Sequence, residues 1–293
     1  MNPWLGMNAS KEYHDGFGGS ATKEAMLAIT HELAQRLECA EALDASACAE
    51  AACKVEMACD TAVKSVAGGM LTFCGPVSPL THAMGLALHG PITEEEVDEV
   101  EEFFHSREAP VAIDVTPFSD PSLRDILCER GYHITEFNQV LGRRLQDQLL
   151  GPECVCEARV RKARPDEKDM YVKAAIEGFF GRPQLTDDER ILGEIIFHMG
   201  YATPYLSEID GEIGGSAGMS IRNGVASCFG DSTLPAYRRK GIQMALICSR
   251  ISDAIAAGAE LMTASTQPGS SSQTNYEKAG FQVAYSKITM VLH

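Results

Sequence analysis

The densest chemistry in the chain runs Thr233-Leu234-Pro235-Ala236-Tyr237-Arg238-Arg239-Lys240-Gly241-Ile242-Gln243-Met244-Ala245-Leu246. A strand is expected to end near Thr233, a short loop carries three consecutive cations, and a helix begins around the glycine. Amides in the first turn of a helix lack intrahelical partners, and the helix dipole adds partial positive charge there. Such a start is an anion site, which Gly241 opens to close approach and the Arg/Lys cluster strengthens. The three cations stand out in a chain whose net charge is −16. Neither G-x-x-x-x-G-K-[ST] nor a G-x-G-x-x-G after a strand occurs, which excludes the P-loop and the dinucleotide fingerprint. Gly214, Gly215 and Gly218 are wrongly spaced for either and read as places for a bulge. A serine hydrolase is unsupported, because no G-x-S-x-G elbow is present.

A second group, Asn275-Tyr276-Glu277-Lys278-Ala279-Gly280-Phe281, lies further on. Together with Arg238-x-x-Gly241-x-Gln243, it resembles the GNAT superfamily of acyl-CoA-dependent N-acyltransferases over residues 153–293. Gln243 departs from the pattern, since the family usually has Gly or Ala there. The resemblance implies acetyl-CoA as co-substrate, no metal, and a cleft where two parallel strands splay. It places the pantetheine along Gly230–Leu234, with Ser232, Thr233 and Leu234 beside it. It places the pyrophosphate in the loop opened by Arg238, on amides from Arg239 through Lys240, Gly241, Ile242 and Gln243 to Met244. Asn275 and Tyr276 would lie near the thioester sulfur.

Elementary chemistry fits those roles. An acceptor amine with a pKa near 10.4 is protonated at pH 7, and freeing its lone pair costs about 4–5 kcal/mol. A base must take a proton, and the departing thiolate needs one back. Tyr276 is the candidate acid, a phenol facing a thiol being uphill by about 2 kcal/mol. Asp231, at the end of the strand before the anion loop, is the candidate base, with Glu208 and Glu212 as rivals. Cys228 lies in the same strand and is worth testing as an acyl carrier, although direct attack in a ternary complex is expected. His198, in an apolar helical run, reads as structural.

The elements that must position these groups can be read from periodicity and punctuation. Strands are expected at Arg159–Ala163, Tyr205–Asp210, Ile213–Ile221, Gly224–Thr233, Leu261–Thr266 and Gln282–Leu292, with Asp210-Gly211 and Asn223-Gly224 as hairpin turns. Helices are expected over Pro165–Phe180, Thr186–Met199 (a capping box with Glu189), Tyr237–Ala257 and Ser271–Ala279. In the first half, Ala-, Glu- and Leu-rich runs predict helices over Thr22–Cys39 and Ala45–Val66. Val97, Val100 and Phe104 share one face of an acidic helix opened by Thr93. Val111–Val115 reads as a strand, Pro121–Arg130 as a helix and Tyr132–Arg144 as a closing strand.

The order of elements from about 70 to 145 repeats that of the second half and resembles a degenerate copy of the same fold. Glu94-Glu95-Glu96 stands where the cationic loop would be and would repel a pyrophosphate. The expected architecture is α/β (α+β), a mixed and mostly antiparallel sheet flanked by helices in a tandem arrangement. Its parts are a helical segment over 1–69, a degenerate domain over 70–152 and an acetyltransferase domain over 153–293. The join is expected near Gln146–Pro152. Charge supports two units: residues 1–152 carry 24 acidic against 10 basic residues, residues 153–293 only 17 against 15.

Such acidity argues against nucleic acid as a partner. No stretch reaches 18 apolar residues, so no membrane span is expected, and Met1–Gly19 has no secretory pattern. Ten scattered cysteines without a C-x-x-C pair read as free thiols in a reducing cytoplasm. The expected function is N-acetyl transfer from acetyl-CoA to a primary amine, borne by a small molecule or a lysine side chain; a homodimer is compatible with it. The alternative is a catalytically silent CoA-binding sensor or partner-binding module.

Overall fold

The computed structural model describes residues 27–55, 61–145 and 157–293. The expected join at Gln146–Pro152, the N-terminal nineteen residues, and Cys59, Cys154 and Cys156 lie outside them. The chain opens with α1 (His31–Ala52), capped by Thr30, whose hydroxyl accepts the Leu33 N–H at 3.1 Å. The helix expected over 45–66 ends at Ala52. Ala62–Val66 is instead a strand, β1, turned by Ala67-Gly68 into β2 (Gly69–Phe73). Both turn residues have positive φ, 46° and 78°, which matches the twist of a two-residue hairpin. Composition had favoured helix here, and the Ala-Gly-Gly turn and strand pairing override it.

Then come β3 (His82–Met84), α2 (Glu94–His105), β4 (Val111–Val115), α3 (Pro121–Glu129) and β5 (His133–Arg144). A Thr93–Glu96 capping box starts α2, and Val97, Val100 and Phe104 are buried as their spacing requires. The second half runs β6 (Arg159–Lys162), α4 (Lys168–Phe180), α5 (Asp187–His198), β7 (Ala202–Ile209), β8 (Glu212–Arg222) and β9 (Val225–Thr233). It closes with α6 (Ile242–Ala256), β10 (Leu261–Thr266), α7 (Ser271–Lys278) and β11 (Gln282–Leu292). Asp210-Gly211 and Asn223-Gly224 form the hairpin turns, all four residues at positive φ. The helix expected from Tyr237 starts five residues later, at Ile242, after a short 3-10 turn at Pro235–Tyr237.

Among the described residues all eleven strands belong to one sheet, in the order β1-β2-β3-β4-β11-β5-β10-β9-β8-β7-β6. Eight of its ten ladders are antiparallel; β3 with β4 and β9 with β10 are parallel. The two halves exchange their last strands. β5, which closes the first half, pairs with β10, and β11, which closes the chain, pairs with β4. The two meet along a long central ladder, so neither half completes its sheet alone.

The core follows this plan. α2 and α3 bury Val97, Phe104, Leu123 and Leu127 with Leu71, Ile113 and Met290. α6 and α7 bury Ile242, Leu246, Ile251 and Tyr276 with Met219, Ala226, Met262 and Leu141. Each fully buried large apolar side chain contributes about 1.5–3 kcal/mol. α1 bridges the halves: Leu33 and Leu37 pack on Val140, Val225, Leu261 and Tyr285, and its far end packs on Ile195 and Met199 of the α5 region.

Beneath α1 lies a buried charged seam. Lys287 of β11 is 2.7 Å from Glu41, 3.3 Å from Asp114 of β4 and 3.6 Å from Glu38. The Tyr285 hydroxyl donates to Glu38 at 2.7 Å and Thr289 to Asp114 at 2.7 Å. Burial pushes Glu38 up to about 7, against the pull of Lys287. Although burial alone would lower it, Lys287 is held well above its ordinary range by Glu38, Glu41 and Asp114. These ion pairs join α1, β4 and β11 across the exchanged strands.

Candidate active site

Strands β9 and β10 run side by side only from Val225/Leu261 to Cys228/Ala264. Beyond that point β9 continues to Thr233 and β10 to Thr266 without pairing to each other. The parting coincides with a bulge in β9: Ser216 faces Ser232 while Gly218 faces Phe229, leaving an extra residue on β9 at Gly230. Gly230 has φ 63°, as bulge glycines often do, and a Cβ at Gly218 would overlap the Phe229 ring. A second shift leaves Gly214 as an extra residue of β8 opposite Ser207 and Glu208 of β7, so Gly214 and Gly218 lie at bulges as expected.

Where the parted strands end, the cationic loop begins. Left-handed backbone at Arg239 (φ 64°) and Gly241 (φ 80°) curls it into α6, a geometry whose consecutive amides form a concave anion-attracting surface. The first bond of the helix is Ala245 N–H to Gly241 C=O at 3.0 Å, so the amides of Ile242, Gln243 and Met244 precede the ladder. Gly241 offers them no side-chain cap, whereas α1, α2, α3, α5 and α7 are capped by Thr30, Thr93, Asp120, Thr186 and Ser270.

The side chains of this stretch divide by role. Arg238 folds back, donating to the carbonyls of Thr233 (3.4 Å) and Gly178 at the end of α4 (3.2 Å). Arg239 and Lys240 are exposed, with the Lys240 ammonium 5.1 Å from the Tyr237 ring centroid. Ser232 is turned inward, its hydroxyl donating to Ala174 C=O. The Leu234 amide is taken by Gly214 C=O. Gln243, the departure from the expected motif, donates to Ser272 at 2.9 Å and accepts from Asn275 at 2.8 Å, tying the start of α6 to α7.

Tyr276 and Asp231, far apart in sequence, are brought together: the phenol donates to Asp231 at 2.7 Å. The residue that organises them, Arg250, was not picked out from the sequence. It is 0% exposed in the middle of α6. It donates to Asp231 in a two-pronged pair, to the Tyr276 oxygen at 3.2 Å, and to the carbonyls of Gly218 (3.0 Å) and Leu246 (3.1 Å). The available signal was periodicity. Ile242, Leu246 and Arg250 share the buried face of an otherwise apolar helix, and a cation there demands a buried acceptor.

Burial raises the Tyr276 pKa well above its ordinary range, Arg250 lowering it and Asp231 raising it further. The neighbouring Cys228 thiol is pushed up to about 11 by burial, so at neutral pH it is a thiol, a poor nucleophile. Glu208 pairs with Arg161 at 2.7 Å. With Glu212 it lines a hollow of about 560 Å³ among β6, α4 and the β7–β8 hairpin, which Leu234 and Tyr237 of the loop before α6 also line. Among the described residues no His/Cys/Asp/Glu cluster could hold a metal ion, and no helix is long and apolar enough to cross a membrane.

No known family model matches the chain, and no curated protein matches it. Solved structures do. A GCN5-related N-acetyltransferase from Kribbella flavida superposes with a TM-score of 0.62 at 18% identity, over 85% of this chain and 94% of its own. A tandem GNAT protein from the clavulanic acid biosynthesis pathway gives 0.58 at 13% identity, over 89% and 93%. A GCN5-related N-acetyltransferase from Sphaerobacter thermophilus gives 0.54 at 18%, over 68% and 66%. The chain therefore has a GNAT fold in tandem arrangement.

Proposed function

We propose that this tandem GNAT-fold protein transfers an acetyl group from acetyl-CoA to a primary amine, by direct attack in a ternary complex formed by its C-terminal half. The observation carrying the reading is the alignment of three features: the gap between β9 and β10, the uncapped amides of Ile242–Met244 at its mouth, and Tyr276 beside it. In this reading the amides after Arg238 bind the pyrophosphate, with Arg239 and Lys240 adding charge. The backbone of Ser232–Leu234 guides the pantetheine, and Asn275 lies toward the sulfur.

Tyr276 stays protonated across the working pH range and, by turning its single O–H from Asp231 to the sulfur, donates a hydrogen bond to the developing thiolate. Its raised pKa makes it a donor that stabilises the sulfur rather than an easily spent acid. Asp231, proposed from the sequence as the base, already accepts a two-pronged pair from Arg250 and a hydrogen bond from Tyr276, so its oxygens are taken. Its fitting role is to hold Tyr276 in place. The ammonium gives one proton to water to free its lone pair, and a second leaves the nitrogen as the C–N bond forms and the C–S bond breaks; with a proton returned to the sulfur, the products are amide and CoA thiol.

The first half is proposed to bind no acyl-CoA. Its equivalent helix, α2, is already capped by Thr93 and begins with three glutamates. The carbonyl of Leu88 in the preceding loop contacts His31 and Gln35 of α1, each at 2.7 Å. A second reading, a CoA sensor without turnover, draws on the mutual engagement of Tyr276, Asp231 and Arg250. A thiol-release assay with acetyl-CoA and a panel of polyamines, aminoglycosides and lysine peptides separates the two. Amine-dependent release that falls in Tyr276→Phe supports transfer. Acetyl-CoA binding with no release on any amine supports the sensor.

A further inference from the structure

Strand β5 outruns one of its neighbours. It pairs with β10 only from Arg144 to Gln139, whereas its ladder with β11 continues to His133. Over residues 133–138 its other edge therefore meets no strand among the described residues. The stretch is also bare: residues 133–137 are all exposed, Ile134 at 47% and Phe137 at 56%. The matching stretch of β11, beyond its pairing with β4, is covered instead. There Lys287 and Tyr285 are buried, the Tyr285 ring against Phe118 and its hydroxyl on Glu38 of α1. An open edge carrying apolar side chains is a template for another strand.

This edge begins beside the proposed acyl site. β10 leaves the sheet after Thr266, the partner of Gln139, and turns at residues 267–270 into α7. On its other side β10 has already parted from β9, after the Cys228/Ala264 pair. Direction matters as well. A strand added to β5 in the antiparallel sense runs the same way as β10. Its first residue then lies at the end of β10, and its later residues lead away from the gap.

We infer that the acceptor is the N-terminal α-amine of an extended polypeptide, which adds a strand to the free edge of β5 and so brings its nitrogen to the thioester held beside β9. This rests on the acetyl-transfer reading and gives the first half a share in the site, through the strand it exchanges. Main-chain hydrogen bonds to β5 hold the peptide, and its direction selects the amino end.

Two further observations favour this acceptor. Asp231 has its oxygens taken by Arg250 and Tyr276, so the nitrogen must shed its proton to water. An α-amine, with a pKa near 8, is neutral in about one molecule in ten at pH 7, a lysine in about one in 2,500. The α-ammonium gives one proton to water, and the neutral nitrogen attacks the thioester carbon. As the C–N bond forms and the C–S bond breaks, a second proton leaves the nitrogen and one is returned to the sulfur, giving N-acetyl peptide and CoA thiol. The other observation is charge. Glu136 is exposed with no cation beside it among the described residues, accepting from Asn138 at 3.5 Å. In the register that β10 sets, the first three residues of the peptide face Asn138, Phe137 and Glu136. A basic third residue meets the carboxylate, just before a bulge at Thr135 ends the regular edge.

The test is steady-state acetylation of a short peptide with a free N-terminus and arginine in third place, beside calorimetry with acetyl-CoA. A polyamine and an N-terminally blocked peptide bearing a lysine serve as competitors. The free peptide is acetylated on its α-nitrogen, read by mass spectrometry, with kcat/KM at least about tenfold above either competitor. In Glu136→Lys the KM of the arginine peptide rises about fivefold and that of a peptide with glutamate in third place falls, while acetyl-CoA affinity stays within about twofold. Turnover confined to the polyamine or the lysine, or a charge exchange that moves neither KM, overturns the inference and leaves acetyl transfer standing. If Glu136→Lys loses acetyl-CoA binding, N-methylation of the first backbone amides of the peptide decides with the wild type. It raises KM about tenfold where strand pairing holds the peptide, and an unchanged KM overturns the inference. A wild type that binds acetyl-CoA but acetylates no amine defeats the acetyl-transfer reading and this inference with it.

Discussion

Replacing Arg250 by methionine removes the cation around which the candidate site is assembled while keeping much of the side-chain volume. The guanidinium is fully buried and serves Asp231, Tyr276, and the carbonyls of Gly218 and Leu246. In its absence the Asp231 carboxylate, with 11% side-chain exposure, keeps the Tyr276 hydroxyl as a partner, and the Gly218 carbonyl at the β9 bulge loses its side-chain donor. Breaking a buried ion pair on one side costs about 3–5 kcal/mol. At about 2–4 °C per kcal/mol, Tm falls by about 6–20 °C. The decisive comparison is the double variant Arg250→Met/Asp231→Asn, which removes the orphaned charge. It should recover part of the loss, with an interaction energy of about 1–3 kcal/mol in a double-mutant cycle read by urea unfolding. A loss below about 1 kcal/mol in the single variant, or strict additivity, would refute the reasoning that Asp231 and Arg250 act as a pair.

Two further expectations follow from other parts of the fold. Glu38, raised from its ordinary 4.5 to about 7 by burial, favours the folded state when protonated. Its contribution is full below pH 4.5 and is lost as pH rises through 7, a change of about 3 kcal/mol. Unfolding free energies measured between pH 4.5 and 8 should therefore decline less steeply in Glu38→Gln than in the wild type, and parallel slopes would contradict this. Gly241→Ala places a side chain at φ 80°, costing about 1–2 kcal/mol. It should weaken acetyl-CoA binding measurably by calorimetry; reduced stability with unchanged affinity would dissociate this turn from the cofactor.

How much of this was legible in the sequence depended on whether the signal was local. Val111–Val115, Leu261–Thr266 and Gln282–Leu292 have the bounds read from their apolar patterns, because β-branched runs stopped by Gly, Pro or Gln are punctuated locally. The tandem plan was legible from repeated order. The exchange of β5 and β11 was not, since which strand a strand pairs with is decided across more than a hundred residues and leaves no mark on either pattern. Ala62–Val66 was misread because an Ala-rich stretch pulled the helix through it, although Lys64-Ser65-Val66 suits an edge strand.

The loop around Gly241 announced itself through charge. Arg250 was hidden by the same amphipathic pattern that made its helix easy to find.

The central claim is that the amides following Arg238 hold the diphosphate of acetyl-CoA, and isothermal titration of the purified chain with acetyl-CoA tests it most directly. The account predicts saturable heat at one site per chain, weakened several-fold when Arg239 and Lys240 are both changed to glutamate. The absence of binding heat in the wild type, or affinity untouched by that double charge reversal, would contradict it.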